Sequence, residues 1–481
     1  MRVKSVFIIM ALTAGFCELQ PPAPAQSVTV LHAFAPVTNG TNIDGTLPYC
    51  ALALSDNVLF GTTYNGGANS NGTVFAMNAD GTGFTNLHVF AVRSGPLHTN
   101  VDGGWPTDGL VVSGHTLYGT TGTAGPSLRG TVFAMNTDGT GFTNLHVFNG
   151  NNDGSATVAG LTLSGGRLYG IAQSGGTNGS GMIFGMNLDG SGYTNLHSFA
   201  GLISGTNADG IQPLATLAAS GTNLIGACSG GGAWGKGTVF RINTDGTGFT
   251  NWHVFSALTS GTNGDGAMPF AGGLTVNGNA LFGTTKSGGS AGNGVLYRMN
   301  LDGSGFTNLH SFTAVNNLTN ADGISPFGSL FSSGNTLYGT ASGGGVSSNG
   351  TVFVVNTDGS GFKVLHNFNS VLNNTNDDGA LPVSAIMASN TLYIVAHAGG
   401  AGGSGTVVSL FLPPPLNISF SGANAVLTWP TNADGFALQG ATNLSSAAAW
   451  TPVAPIPVNN DGQFTVTNPP SSGQMFFRLA R

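Results

Sequence analysis

Three sets of residues recur along the chain at fixed spacing, and each carries chemistry. An Asp-Gly followed two residues later by Pro or an equivalent opens every unit of a repeat, at Asp44, Asp102, Asp153, Asp209, Asp265, Asp322 and Asp378. If these lie just ahead of the innermost strand of each unit, seven carboxylates surround one mouth of a central channel. Such a ring binds a cation or a polar ligand. The competing arrangement has each Asp capping its own turn and accepting local backbone amides. A second set is the His of LHxF: His32, His88, His146, His197, His253, His310 and His366. These would be metal ligands only if they converged. One His per unit, on an outer strand, holds them apart, and period-two alternation places each beside the Phe of the same motif. A third set, NxDGxG, is led by Asn78, Asn136, Asn187, Asn243, Asn300 and Asn356 and has the look of a calcium loop. That chemistry needs a closing bidentate Glu, and the only Glu of the chain is Glu18. Asp-Gly between two alternating runs is a hairpin turn instead.

The remaining candidates break the repetition. The connection from each LHxF Phe to the next Asp has 9, 11, 4, 9, 9, 9 and 9 residues, and a second connection on the same side keeps eight throughout. Within this Gly-, Ser- and Asn-rich face stand Trp105, Arg129, Trp234, Lys236, Lys286 and His397. Loops on a rigid scaffold commonly carry function, so ligand contact is expected there.

The elements that position these residues follow from the repeat. LHxF or WHxF begins at Leu31, Leu87, Leu145, Leu196, Trp252, Leu309 and Leu365. GTVF-like runs begin at Gly72, Gly130, Gly181, Gly237, Gly294, Gly350 and Gly405, and LYGTT-like runs at Leu59, Leu117, Leu168, Leu224, Leu281, Leu337 and Leu392. Each marker occurs seven times, with a period of 51 to 58 residues. Each unit holds four β-like segments between turn signals. The sixth has A at Pro326–Ser332, B at Asn335–Ala341, C at Gly350–Asn356 and D at Phe362–Phe368. Four short strands repeated seven times predict an all-β, seven-bladed β-propeller. The first LHxF precedes any other strand, and the last unit ends without one. Val28–Phe34 is therefore expected to supply the outer strand of blade 7 and close the ring.

Composition narrows the partners. Formal net charge is −7, charged residues are only 6% and Lys and Arg form no cluster, so a nucleic-acid partner is not expected. Residues 1–25 read as a signal peptide, with Arg2 and Lys4, the apolar run Val6–Phe16 and Ala23-Pro24-Ala25. Phe16 before Cys17 does not suit a lipobox. No run is long enough for a transmembrane helix. Cys50 and Cys228 fall in blades 1 and 4, so two free buried thiols are expected rather than a disulfide. From Pro413 onward the pattern changes. Short strands at Leu416–Phe420, Ala425–Trp429, Phe436–Ala441, Trp450–Val453, Gln463–Thr467 and Met475–Leu479 predict a small β-sandwich-like domain over 413–481, with Trp429 and Trp450 as core anchors.

The succession LYGTT, GG, GTVF, LHxF and DGxxP resembles the choice-of-anchor tandem-repeat GloVer family over residues 28–412. Ile394, where the Gly of LYGTT belongs, departs from it. The resemblance implies an exported or surface repeat protein with a variable C-terminal appendage, and it carries over no catalytic residue. LTWP, FALQGATNL, AAWTPV and FFRL are similar to fibronectin-type-III-like tail modules. No GxSxG, HExxH, P-loop or Cys-His arrangement is present. The expected function is a non-catalytic, secreted or cell-surface (or periplasmic) module, monomeric and without a cofactor or metal. Its partner would be a polysaccharide or an envelope protein. The alternative is a carbohydrate-active hydrolase or lyase built on two Asp at the channel mouth.

Overall fold

The hairpins form where the residues dictate. After strand C, Oδ1 of Asp80 accepts the amide (2.9 Å) and hydroxyl (2.7 Å) of Thr82, and Asn78 Nδ2 donates to the same hydroxyl. These bonds, the Thr82 hydroxyl's first, hold the Asp80 carboxyl below its ordinary pKa. The turn recurs at Asp138, Asp189, Asp245, Asp302 and Asp358. All six NxDGxG elements are thus local turns between strands C and D.

A computed structural model describes residues 28–480, apart from 151, 158, 270–272, 415, 423, 431–435, 443–448, 461–462 and 469–474. The signal-peptide reading of residues 1–25, with Cys17, lies outside the described residues. Those residues contain no helix, and so none long and apolar enough to cross a membrane. The chain forms two compact units. One holds Val28–Ile386 and Tyr393–Ser409, and the other holds Met387–Leu392 and the chain from Leu410 onward.

In the larger unit the order is strand to neighbouring strand, antiparallel, repeat after repeat. Sheet 1 runs Ala53–Ser55, Val58–Thr63, Thr73–Asn78, Thr85–Val89. Sheet 6 runs Ile324–Ser333, Thr336–Gly343, Thr351–Asn356, Lys363–Asn367, each within three residues of its expected bounds. The last sheet takes Ala380–Ala388, Thr391–Ala398 and Thr406–Phe411 from the end of the array and Thr29–Ala33 from its start. Thr29 faces Ser409 and Ala33 faces Thr406, so the N-terminal strand pairs where the missing LHxF left an open edge.

Apolar residues from adjacent sheets share each core. Phe60, Val74 and Phe90 of repeat 1 pack with Leu110, Leu117, Phe133 and Met135 of repeat 2. Gly61 of LYGTT stands opposite Phe75 of GTVF, and a Cβ on Gly61 would come within 2.4 Å of that ring. The glycine is room for the phenylalanine. In repeat 7 the same two positions are Ile394 and Val408, both fully buried. The departure seen in sequence is therefore a paired exchange that conserves volume.

Strand A differs from expectation. It is a continuous ten-residue strand in repeat 6 but broken in two in repeats 2 and 4, as Gly104–Pro106 with Val111–Ser113 and Ile211–Pro213 with Ala218–Ser220. Leaving the ladder frees backbone amides in the middle of the first strand. Cys50 and Cys228 are free and buried.

The smaller unit carries two sheets. One orders Asn417–Ser421, Asn424–Pro430, Gln463–Asn468 and Val458–Asn460; the other orders Thr451–Pro452, Ala437–Ala441 and Phe476–Ala480. Trp429, Leu438, Val466 and Phe477 form their common core. Trp450, expected in that core, is instead half-buried beneath the Arg478 guanidinium, 4.2 Å from its ring.

Candidate functional site

Each DGxxP Asp is spent on the scaffold. Asp44 Oδ2 meets His32 Nε2 at 2.9 Å, and the Ala35 amide donates to the same carboxylate at 3.0 Å. Asn42 completes the corner. Its Nδ2 donates to the Ala35 and Gly45 carbonyls, while its Oδ1 accepts the amides of Gly45 and of Gly67 in the neighbouring loop. The His–Asp contact recurs at 2.9–3.0 Å for Asp102, Asp209, Asp265, Asp322 and Asp378. The carboxylates are drawn onto the last strand of the preceding repeat, where the His and the amide beside it lie. Among the described residues no three His, Cys, Asp or Glu gather as a metal site. Six of the His rings, all but His366, lie flat on the aromatic of the next repeat's DGxGF or its equivalent. His32 stacks on Phe84 at 3.7 Å and 2°, and His310 on Phe362 at 3.7 Å and 7°. These six His are joints between sheets.

Repeat 3 departs because its connection has four residues. His146 stands 3.4 Å from Asp153, and its Nε2 has no hydrogen-bond partner. Burial lowers its pKa in spite of Asp153. Tyr193 takes the place of Phe and donates its hydroxyl to the Asp153 carbonyl at 2.7 Å.

The sevenfold rule fails in the first strands, two residues beyond the Pro position. Cys50, Asp108, Ala159, Ala215, Gly328 and Ser384 are equivalent there, and Asp108 is the charged one. Its Oδ1 accepts the Gly109 amide (2.7 Å); its Oδ2 accepts the Gly160 amide (2.8 Å) and the Thr216 hydroxyl (2.7 Å). Gly109 and Gly160 are amides released by the broken first strand, and the three donors come from repeats 2, 3 and 4. Asp108 borders a small, partly open pocket lined by first strands of repeats 1, 2, 6 and 7, with Tyr49, Thr107, Ser329 and Ser384 on its wall. It keeps a partial opening to that pocket, yet protein surrounds it. This burial raises its pKa, opposed by the Thr216 hydroxyl and the three amides of Gly109, Gly160 and Ala51.

The neighbouring groups are held in their neutral forms. Burial pushes the Cys50 thiol to about 12, and its sulfur accepts the Thr62 amide at 3.3 Å. Burial, then Asp108, pushes Tyr49 to about 12. The Tyr49 ring lies 5.2 Å from His397 and 5.3 Å from Phe327. His397 Nδ1 lies 2.9 Å from the Leu381 carbonyl, and burial lowers its pKa. Neutral hydroxyls, a thiol, an aromatic ring and one donor-saturated carboxylate make a surface for polar recognition. None of them is poised as a nucleophile beside a base.

Residues that begin the first strands meet the loops of the preceding repeat. The Trp105 amide donates to Asn71 O, Ala156 to Arg129 O and Met268 to Lys236 O; Lys286 donates back to Met268 O. Arg93 lies 4.2 Å over the Trp105 ring, with Tyr64 stacked 6.2 Å away. The structure thus brings Trp105, Arg129, Lys236, Lys286 and His397 to the start of the first strands. Trp234 stays in its own loop, 59% exposed. Sequence reasoning missed Asp108 and Tyr49, although an acid inside an apolar first strand is a visible signal.

Solved structures resembling the chain include an oligogalacturonate lyase of Vibrio parahaemolyticus, at 10% identity over 85% of this chain and 98% of that one, TM-score 0.46. A puromycin-hydrolysing peptidase of Mycobacterium tuberculosis matches at 12% identity over 83% and 61%, TM-score 0.47. A polysaccharide lyase acting on ulvan matches at 12% over 80% and 96%, TM-score 0.44. No curated protein matches the chain. The repeat model described as the Gloeobacter/Verrucomicrobia repeat matches residues 18–208 and again 201–408. With both copies spanning the repeats from which the corners, joints and first strands above are built, the chain belongs to that family.

Proposed function

We propose that the seven repeats form a closed seven-bladed propeller, exported by its N-terminal leader, that serves as a non-catalytic binding module. Its ligand enters the channel mouth formed by the first strands. One observation carries this reading. The ionisable residues present in every repeat are consumed by the scaffold, while Tyr49, Cys50 and Asp108, which are not repeated, line one pocket. Asp108, on the pocket wall, bonds repeats 3 and 4 from repeat 2, and the rest of the wall belongs to repeats 6, 7 and 1. Seven first strands around one axis account for these contacts. The C-terminal unit then acts as the appended tail module.

The reading is tested by immobilising the purified protein and passing defined polysaccharides over it, beside a Ser384→Trp variant that fills the pocket. Saturable binding by the wild type, lost in the variant, is expected. Equal binding by both would move the ligand away from the channel.

A further inference from the structure

The residue before the Pro of DGxxP has a left-handed backbone in all seven repeats: Leu47, Trp105, Ala156, Gln212, Met268, Ser325 and Leu381, with φ between 50° and 57°. That conformation crowds any Cβ and is one for which glycine is the default. The chain is not short of glycine. It has 79, and most of its other left-handed positions are Gly, Asn, Asp or Ser. The backbone at this position has a clear task. Its amide crosses to the preceding repeat, as from Leu47 to Ser404 O at 3.0 Å and from Leu381 to Asn349 O at 2.8 Å. A glycine would perform that task with less strain. Nor do the side chains fill a core: none of the seven is buried, and Gln212 and Met268 are exposed. Side chains held at a strained position that fill no core, where glycine would serve the backbone, point to a role in what they present.

What they present is varied and uncharged. The residues that end the second strands sit beside them. Tyr64 and Gln173 donate their amides to the Leu47 and Ala156 carbonyls, Ser229 donates its hydroxyl to the Gln212 carbonyl, and neutral His397 bonds the Leu381 carbonyl. We propose that these seven positions form the specificity ring of the binding module, and that the ring takes a neutral, polyhydroxylated chain such as an oligosaccharide end. Flat apolar faces (Trp105, Tyr64, Met268) suit the C–H faces of sugar rings, and the Gln and Ser side chains pair with hydroxyls. Of the cations nearby, Arg93 is engaged over Trp105. The inference rests on the binding-module reading above.

The strain itself supplies the test. A Trp105→Gly, Gln212→Gly, Met268→Gly triple variant relieves three left-handed side chains, so its melting temperature stays level or rises. Affinity is measured for both proteins on an array of glucan, mannan and xylan oligomers beside polygalacturonate oligomers. The expected result is binding of neutral oligomers by the wild type, weakened roughly tenfold or more in the variant. Undiminished binding by the variant would overturn the ring while leaving the binding module standing. So would a fall in melting temperature that accounts for the lost binding. Preference for polygalacturonate would overturn the neutral ligand. Failure of the wild type to retain any oligomer would reach further and overturn the binding reading for saccharides.

Discussion

At the scale of single residues, the His–Asp pair decides how the protein meets acid. In Asp265 and Asp322 burial raises the carboxyl pKa, but the bonds from His253 and Ser256, and from His310 and Thr313, outweigh it and leave both lowered. A carboxyl lowered in the folded state stabilises fully above its unfolded value, near 3.9, and loses that contribution as pH falls through the folded value. The exposed turn carboxylates from Asp80 to Asp358 are lowered in the same sense. The melting temperature should therefore hold above about pH 5 and fall below about pH 4. An Asp265→Asn, Asp322→Asn variant should begin lower at pH 7 and lose less between pH 6 and pH 3. Scanning calorimetry across that range checks it, and a wild-type melt that rises on acidification would refute it. Both partners of this pair were visible in sequence, but not that they touch. His310 and Asp322 lie on opposite sides of a connection whose path Asn320 fixes. Asp108 was hidden for a related reason. Its partners Gly160 and Thr216 lie 52 and 108 residues away, and neither belongs to a repeated motif.

At the scale of elements, the exchange of Gly and Phe for Ile and Val shows how two facing strands divide one volume. A Cβ on Gly339 would stand 2.5 Å from Phe353, so Gly339→Ile alone should destabilise repeat 6 by roughly 1–3 kcal/mol or more. Adding Phe353→Val, as repeat 7 does naturally, should return part of that loss. Denaturant titration of the two single variants and the double variant measures a coupling of roughly 1–3 kcal/mol. Strictly additive losses would mean that Ile394 and Val408 are unrelated. Strand existence and order were legible throughout, because the markers recur in register. The break in strand A was not. Pro106 and Pro213 mark where the ladder can stop, but whether the strand resumes depends on packing around the pocket. The left-handed positions were hidden in plain view: the x before Pro is one of two variable letters in a repeated motif.

At the scale of the molecule, six of the joints between neighbouring repeats are stacked rings, and the last sheet is completed by a strand from the far end of the chain. Removing residues 26–36 should lower the melting temperature sharply and expose Thr406–Phe411 to limited proteolysis. A synthetic peptide of residues 28–36 should restore part of the loss. An unchanged melt would mean that the N-terminal strand is dispensable.

That pairing also sets an order of events. Thr29–Ala33 is made first and its partner Thr406–Phe411 more than 370 residues later. A ribosome adding about 5–20 residues per second delivers the two about twenty to seventy-five seconds apart. Until then the opening strand has no native partner, and its unpaired backbone is the kind of edge that recruits other chains. Contacts so distant in sequence form slowly and late. The native molecule thus holds a strand that is made early and placed late, and the interval between is when it most needs shielding.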